Sequence, residues 1–243
     1  MTNKSLKQNL PLGEALSPLS LNAKKQAWVV GSLCLVLFLL DQIVKFWIKL
    51  SLPLGESIHV TNWFQILFVE NEGMAFGVTL GSKLFLTLFR ICAMALFGWG
   101  VVAILKKGTY KLGFVVAMGL ILVGGIGNII DSLFYGLIFS ESAPYGAVAE
   151  LFPEGGGYAS LFHGKVVDML YFPLIDTYLP TWLPFVGGQH FTFFDPVFNL
   201  ADSYISIGVF MLILFYFKSL SRAFGQLSLF LERKREKSIK KEE

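Results

Sequence analysis

Charge, cysteine and histidine are all scarce in this sequence, and each shortage removes a class of protein. Charged residues make up 15% of the 243 against 54% hydrophobic, and mean hydropathy is +0.62. That balance lies outside the range of soluble globular domains and inside that of polytopic membrane proteins. The two cysteines, Cys34 and Cys92, both stand in apolar runs, so no disulfide framework is indicated. His59, His163 and His190 fall in no HExxH or comparable ligand spacing, which gives no metal signature and no reason to expect a cofactor. A GxSxG elbow for serine chemistry and solenoid-type repeats are likewise missing.

What the chain has in abundance is long apolar sequence. A helix needs about twenty predominantly apolar residues to cross roughly 30 Å of hydrocarbon. Four runs approach that length: Ala27 to Trp47, Leu84 to Leu105, Leu112 to Phe139 and Pro196 to Phe217. The predicted fold class is therefore an all-α membrane protein with four transmembrane helices. The first run follows some two dozen polar residues, unlike a cleaved signal peptide, and is expected to stay as an anchor. Fifteen of the twenty lysines and arginines lie before the first span, between Lys106 and Lys111, or from Lys218 onward. The positive-inside rule then puts both termini and the 106–111 link in the cytoplasm, and the two other connections outside. The expected organisation is a cytoplasmic tail 1–26, a four-span domain 27–217 with outward segments of about 50–82 and 140–195, and a basic cytoplasmic tail 218–243. That last tail reads as a solvated end attracted to anionic lipid, with no nucleic-acid partner expected.

In the first outward segment IHVTNWFQILFVE alternates as short strands do, and NEGMAFG closes it as a turn, so a small extracytoplasmic β element is expected there. The second is a long loop holding Pro144, Gly155 to Gly157, Pro173, Pro180, Pro184, Gly187 and Gly188. Its aromatic content suggests that it lies against the membrane or covers a site.

On this topology the polar residues of the spans share one depth. Asp41 and Lys45 come toward the outer end of the first helix, Asn128 and Asp131 in the outer half of the third, and Asn199 and Asp202 at the outer start of the fourth. Each Asn/Asp pair has i, i+3 spacing, so both side chains share a helix face, and Gly124, Gly125 and Gly127 permit a neighbouring helix to come close. An ionised group deep in a bilayer costs about 2.5–3.5 kcal/mol, so a cluster of them needs a reason. Interhelical hydrogen-bond glue is one; Asp41 paired with Lys45 would be an instance. Acid–base chemistry is another, since two nearby aspartates share a proton and can activate water while protonating a carbonyl, as peptide hydrolysis requires. A proton or ion relay in a small transporter or binding protein is a third. On composition alone, Asp131 and Asp202 are the natural pair.

DQIVK from Asp41, NEGMAFG from Asn71, GGIGNIID from Gly124, VVDM from Val166 and FNLADSYISIG from Phe198 resemble, in that order, the blocks of the bacterial lipoprotein signal peptidase family, signal peptidase II. The resemblance spans roughly residues 30 to 215. It implies an aspartic intramembrane endopeptidase of the inner membrane, acting at its periplasmic side without a cofactor. Such enzymes remove signal peptides from prolipoproteins by cutting before a cysteine that carries diacylglyceryl, and globomycin-like cyclic peptides inhibit them. The resemblance assigns the catalytic pair to Asp168 and Asp202, and assigns Asp41, Lys45, Asn71, Gly73, Asn128, Asp131 and Asn199 to supporting or substrate-contacting positions. Two departures stand out. Ser132 follows GNIID where the family usually has arginine, and Phe139 to Lys165 is largely extra; that stretch is expected to loop out and return as a lid.

Overall fold

The computed structural model describes residues 20–72 and 82–242. Helix α1 (Leu21–Ser51) starts at Ser20, whose hydroxyl accepts from the Ala23 amide, and stops at Leu52, the residue before Pro53, where helical backbone is disfavoured. Helix α2 (Lys83–Lys107) opens on Ser82 in the same way and closes on Gly108 in the left-handed conformation, φ 61°. Helix α3 (Leu112–Ile130) continues through a π-turn, Asp131–Tyr135, and a last turn α4 (Gly136–Ile138). Helix α5 (Leu200–Phe215) is followed after Tyr216 by α6 (Phe217–Glu242).

Three described helices, α1, α2 and the α3–α4 run, are each long and apolar enough to cross a membrane, and α5 reaches that length only together with α6, to which it is bent by 94°. The region from 218 onward, expected as a tail, is thus an amphipathic helix set at an angle to α5. Large apolar side chains such as Leu35, Val36, Phe89, Leu96 and Phe210 are exposed along these helices, the pattern of a surface solvated by lipid.

Helix α3 is the hub, and its glycines make it one. A Cβ on Gly124 would run into the Ala201 carbonyl of α5, one on Gly125 into Met94 of α2, and one on Gly127 would lie 2.8 Å from Asp41 Oδ2 of α1. Three neighbours therefore approach one helix to near contact.

The β element is larger than expected. Strands β1 (Ser57–Thr61), β2 (Phe64–Asn71) and β3 (Val166–Tyr171) form an antiparallel sheet in that order, so VVDM is a strand rather than part of a loop. The long second connection also contains a separate hairpin, β4 (Ile175–Tyr178) with β5 (His190–Phe193).

Two apolar cores bracket a polar layer. Val30, Val101, Phe114, Val115, Met118 and Leu212 pack at one end, and Ile48, Phe68, Tyr135, Phe139, Val167 and Met169 at the other. Along α1 the order is Val30, Asp41, Lys45, Ile48; along the third run it is Met118, Asn128, Asp131, Tyr135.

The extra stretch does leave and return, but it is folded down. Phe139 bridges to Leu151, and Leu54 to Pro144. The Ala159 amide donates to Gly136 O at 2.9 Å and the Gly164 amide to Ser132 O at 2.9 Å. Thr87 on α2, buried, donates its hydroxyl to Phe162 O at 3.1 Å. Beneath it lies a second ionic cluster: fully buried Lys49 pairs with Glu70 and donates to Ser142 Oγ at 2.7 Å, with its ammonium 5.0 Å from the Tyr158 ring centre.

Candidate active site

The polar layer consists of two linked groups. The first is centred on Lys45, which is fully buried. Its ammonium lies 3.0 Å from Asp41 Oδ2, 2.7 Å from Asp131 Oδ2 and 2.9 Å from Asn128 Oδ1, so its three protons meet three acceptors from α1 and α3. Gln42 joins the same carboxylates, donating to Asp41 Oδ2 and Asp131 Oδ1 at 3.1 Å each, and accepts from the Tyr135 hydroxyl. Asp41 Oδ1 accepts the Ala201 amide of α5 at 3.0 Å. A buried lysine between two buried carboxylates ties three helices together.

The second group holds Asp168 and Asp202. Asp202 is drawn into place by the start of α5: Asn199 is its N-cap, its Oδ1 accepting the Asp202 amide at 2.9 Å while Asp202 Oδ2 accepts the Asn199 amide at 3.3 Å. This reciprocal capping box explains in part why an asparagine and an aspartate stand at the mouth of an apolar helix. Asp202 Oδ1 also accepts Asn128 Nδ2 at 2.8 Å. Asp168 arrives on β3, and Phe198 fastens that strand to α5: the Leu170 amide donates to Phe198 O at 2.7 Å and the Phe198 amide to Leu170 O at 3.1 Å.

Asn199 then serves both acids. Its Nδ2 donates to Asp168 Oδ1 at 2.7 Å and to Asn128 Oδ1 at 3.2 Å. Asp168 Oδ2 accepts Asn71 Nδ2 at 3.1 Å; Val69 is the registered partner of Asp168, and Asn71, two residues on, shares its face of the sheet. Asp168 is 2% exposed and Asp202 is partly open. Burial, followed by the nearby Asp202 charge, pushes the Asp168 carboxyl up to about 7.

The structure therefore brings Asp41, Lys45, Asn71, Asn128, Asp131, Asp168, Asn199 and Asp202 into one network. Gly73 lies outside the described residues. The composition-based pairing of Asp131 with Asp202 does not match the geometry, because Asp131 is committed to Lys45 and Gln42, whereas Asp168 and Asp202 share Asn199. At the family's arginine position, Ser132 is buried and donates to Asn128 O at 3.1 Å. The space beside it is taken by the returning stretch, with Gly164 packed onto the Asp131 carbonyl. Arg90 on α2 lies within electrostatic range of both Asp202 and Asp168. Sequence reasoning passed over Arg90, and the signal available was a lone arginine inside an apolar span. Gln42, neighbour to Asp41, gave no such signal. Among the described residues no three or more His, Cys, Asp and Glu side chains are grouped to hold a metal ion.

Comparison with known proteins converges on one family. The family model described as signal peptidase (SPase) II matches residues 33–218. A lipoprotein signal peptidase of Porphyromonas gingivalis is 54% identical over 196 residues, covering 81% of this chain and 86% of that protein. One of Amoebophilus asiaticus is 35% identical over 196 residues, 78% of each. A solved structure described as a bacterial membrane enzyme superposes with a TM-score of 0.54 at 22% identity, covering 80% of this chain and 90% of that one; at that identity the likeness concerns the fold.

Proposed function

The chain belongs to the signal peptidase II family of peptidases, and from that membership we propose that it is an aspartic endopeptidase with Asp168 and Asp202 as its catalytic pair. The substrates are prolipoproteins whose cysteine carries diacylglyceryl, cut immediately before that cysteine. The observation that carries this reading is Asn199, which hydrogen-bonds to Asp168 with its side chain and to Asp202 with its backbone amide, so two carboxylates from distant parts of the chain are held as neighbours.

Two such neighbours share one proton near neutral pH. Asp168, buried and raised, holds it; Asp202, partly open and accepting two hydrogen bonds, from Asn128 Nδ2 and the Asn199 amide, faces the water. Asp202 takes a proton from the attacking water as its oxygen bonds to the scissile carbonyl carbon, and Asp168 gives its proton to the carbonyl oxygen. The tetrahedral intermediate then breaks its C–N bond. The proton on Asp202 passes to the departing amine, and Asp168 recovers its own as the new carboxyl group forms. Asn71, Asn128 and Asn199 hold the acids, and the Asp41–Lys45–Asp131 triad holds the helices that carry them. Arg90 supplies a nearby positive charge that limits repulsion between the pair.

The chain's orientation follows from its charge: basic ends and the 106–111 link inside, the site at the periplasmic side of the inner membrane. The test is cleavage by the purified chain of a diacylglyceryl-modified precursor. Cleavage is expected before the lipidated cysteine, undiminished by chelators and blocked by globomycin-like cyclic peptides. A transporter or binding protein using the same acids as a relay would leave the precursor intact.

A further inference from the structure

The hairpin β4–β5 lies in the connection between the two acids, after Asp168 on β3 and before Asp202 on α5. Its register sorts its side chains onto two unlike faces. Ile175 pairs with Phe193 and Thr177 with Phe191, while Asp176 pairs with Thr192 and Tyr178 with His190. Alternate residues point to opposite sides, so one face is apolar and the other carries Asp176 and His190, in polar contact at 2.5 Å. Among the described residues the strands pair only with each other, apart from the three-stranded sheet. Yet on the apolar face Ile175 and Phe193 are each 52% exposed. A two-stranded ribbon is marginal in water and needs its apolar face covered.

The tip repeats the pattern. From Thr177 to Gln189 there is no acidic or basic residue. Trp182 is 77% exposed and Phe185 99% exposed, and Phe185 is held at φ 69°. A bulky residue in left-handed backbone, with its ring fully outside, costs free energy that the fold of the chain alone does not explain.

Two features indicate what covers this surface. The hairpin springs from a row of stacked rings, in which Trp63 and Phe64 meet Phe172 at 6.3 and 4.8 Å and Phe172 meets Phe198 at 5.7 Å. Phe198 lies two residues before α5, whose exposed apolar side chains are those of a lipid-facing helix. The hairpin thus departs from a row of rings that leads to the start of a lipid-facing helix. Its composition, aromatic with an uncharged tip, is that of the belt where hydrocarbon meets headgroups.

We propose that β4–β5 is an interfacial anchor: the Ile175/Phe191/Phe193 face and the Trp182/Phe185 tip seat in the outer leaflet of the bilayer, with the Asp176/His190 face toward water. Because the hairpin joins β3 to α5, its seating sets the depth of Asp168 and Asp202 relative to the lipid, and with it the presentation of a lipid-bearing substrate. The part concerning substrate rests on the proposed peptidase reading; the seating does not.

The test uses the full chain with Cys34 and Cys92 replaced by alanine and one nitroxide at F185C or at D176C, in nanodiscs of phosphatidylethanolamine and phosphatidylglycerol. Collision rates with oxygen and with a water-soluble nickel chelate are compared. F185C should report oxygen-rich hydrocarbon and D176C water. Equal, water-like accessibility at both sites overturns the anchor, as does dipolar broadening at F185C that reports a second copy covering the face. In the native-cysteine protein, W182S/F185S should raise KM for the lipidated precursor at least several-fold in nanodiscs, with kcat kept and little change in detergent micelles. An equal fall of kcat in both settings overturns the role in presentation. If the unsubstituted chain does not cleave, the peptidase reading fails and the collision measurement still decides the anchor.

Discussion

Asp168 is where burial and charge bear most directly on chemistry. Its carboxyl, ordinary at 3.8, is pushed up to about 7 by burial and then by the Asp202 charge. Between those values the folded chain binds more protons at this group than the unfolded chain does, so its contribution to stability falls as pH rises from about 4 to about 7 and is level above. Thermal unfolding in detergent should show that slope, and Asp168→Asn should flatten it; an unchanged slope would mean that Asp168 is an ordinary acid. Lys45 has a different role. Removing its charge in Lys45→Met leaves Asp41 and Asp131 buried without their cation, which is expected to cost about 3–5 kcal/mol, measurable as a large fall in melting temperature. Residue identity gave much of this site away: acids and asparagines inside apolar sequence are expensive and therefore conspicuous. Asp168 was not conspicuous, because in isolation it reads as a loop acid, and only its resemblance-bearing VVD context marked it. Its partner choice depends on β3 and on Phe198, contacts between distant segments that periodicity does not reveal.

At the scale of elements, the helices were legible because an apolar run of about twenty residues has few other uses, and α1, α2 and α3 fall close to the predicted spans. The β element was legible in part. β1 and β2 follow from alternation around a turn, whereas β3 joins them from across the chain with a short, largely buried run, apolar except for Asp168, and such short buried runs are shared by strands and helices. The extra stretch was legible as extra, but its packing was not, since what holds it down is a lysine in one helix, a glutamate in a strand and a serine in the stretch itself. Lys49, Glu70 and Ser142 form a buried cluster one residue from Asn71. Glu70→Ala strands the Lys49 charge and should destabilise the chain by about 3 kcal/mol. Limited proteolysis should then cut within 140–165, where the unsubstituted chain resists. The double change Lys49→Met with Glu70→Gln removes both charges and should restore much of that resistance. Equal proteolysis of all three would detach the cluster from any role in fastening the stretch.

Taken whole, the molecule is a helical frame around one polar layer, closed at one end by a sheet that delivers the second acid. The frame is tight because α3 offers glycine to α5, α2 and α1 in turn, and the layer persists because nearly every proton on Lys45, Asn128 and Asn199 has an acceptor. The account stands on Asp168 and Asp202 acting as one unit, and the most direct test is cleavage of a diacylglyceryl-modified precursor by purified Asp168→Asn and Asp202→Asn variants that still unfold cooperatively. Each should be inactive, by at least three orders of magnitude on the scale expected when a positioned acid or base is lost, about 10²–10⁴-fold per proton transfer. Substantial cleavage by either variant would contradict the pairing.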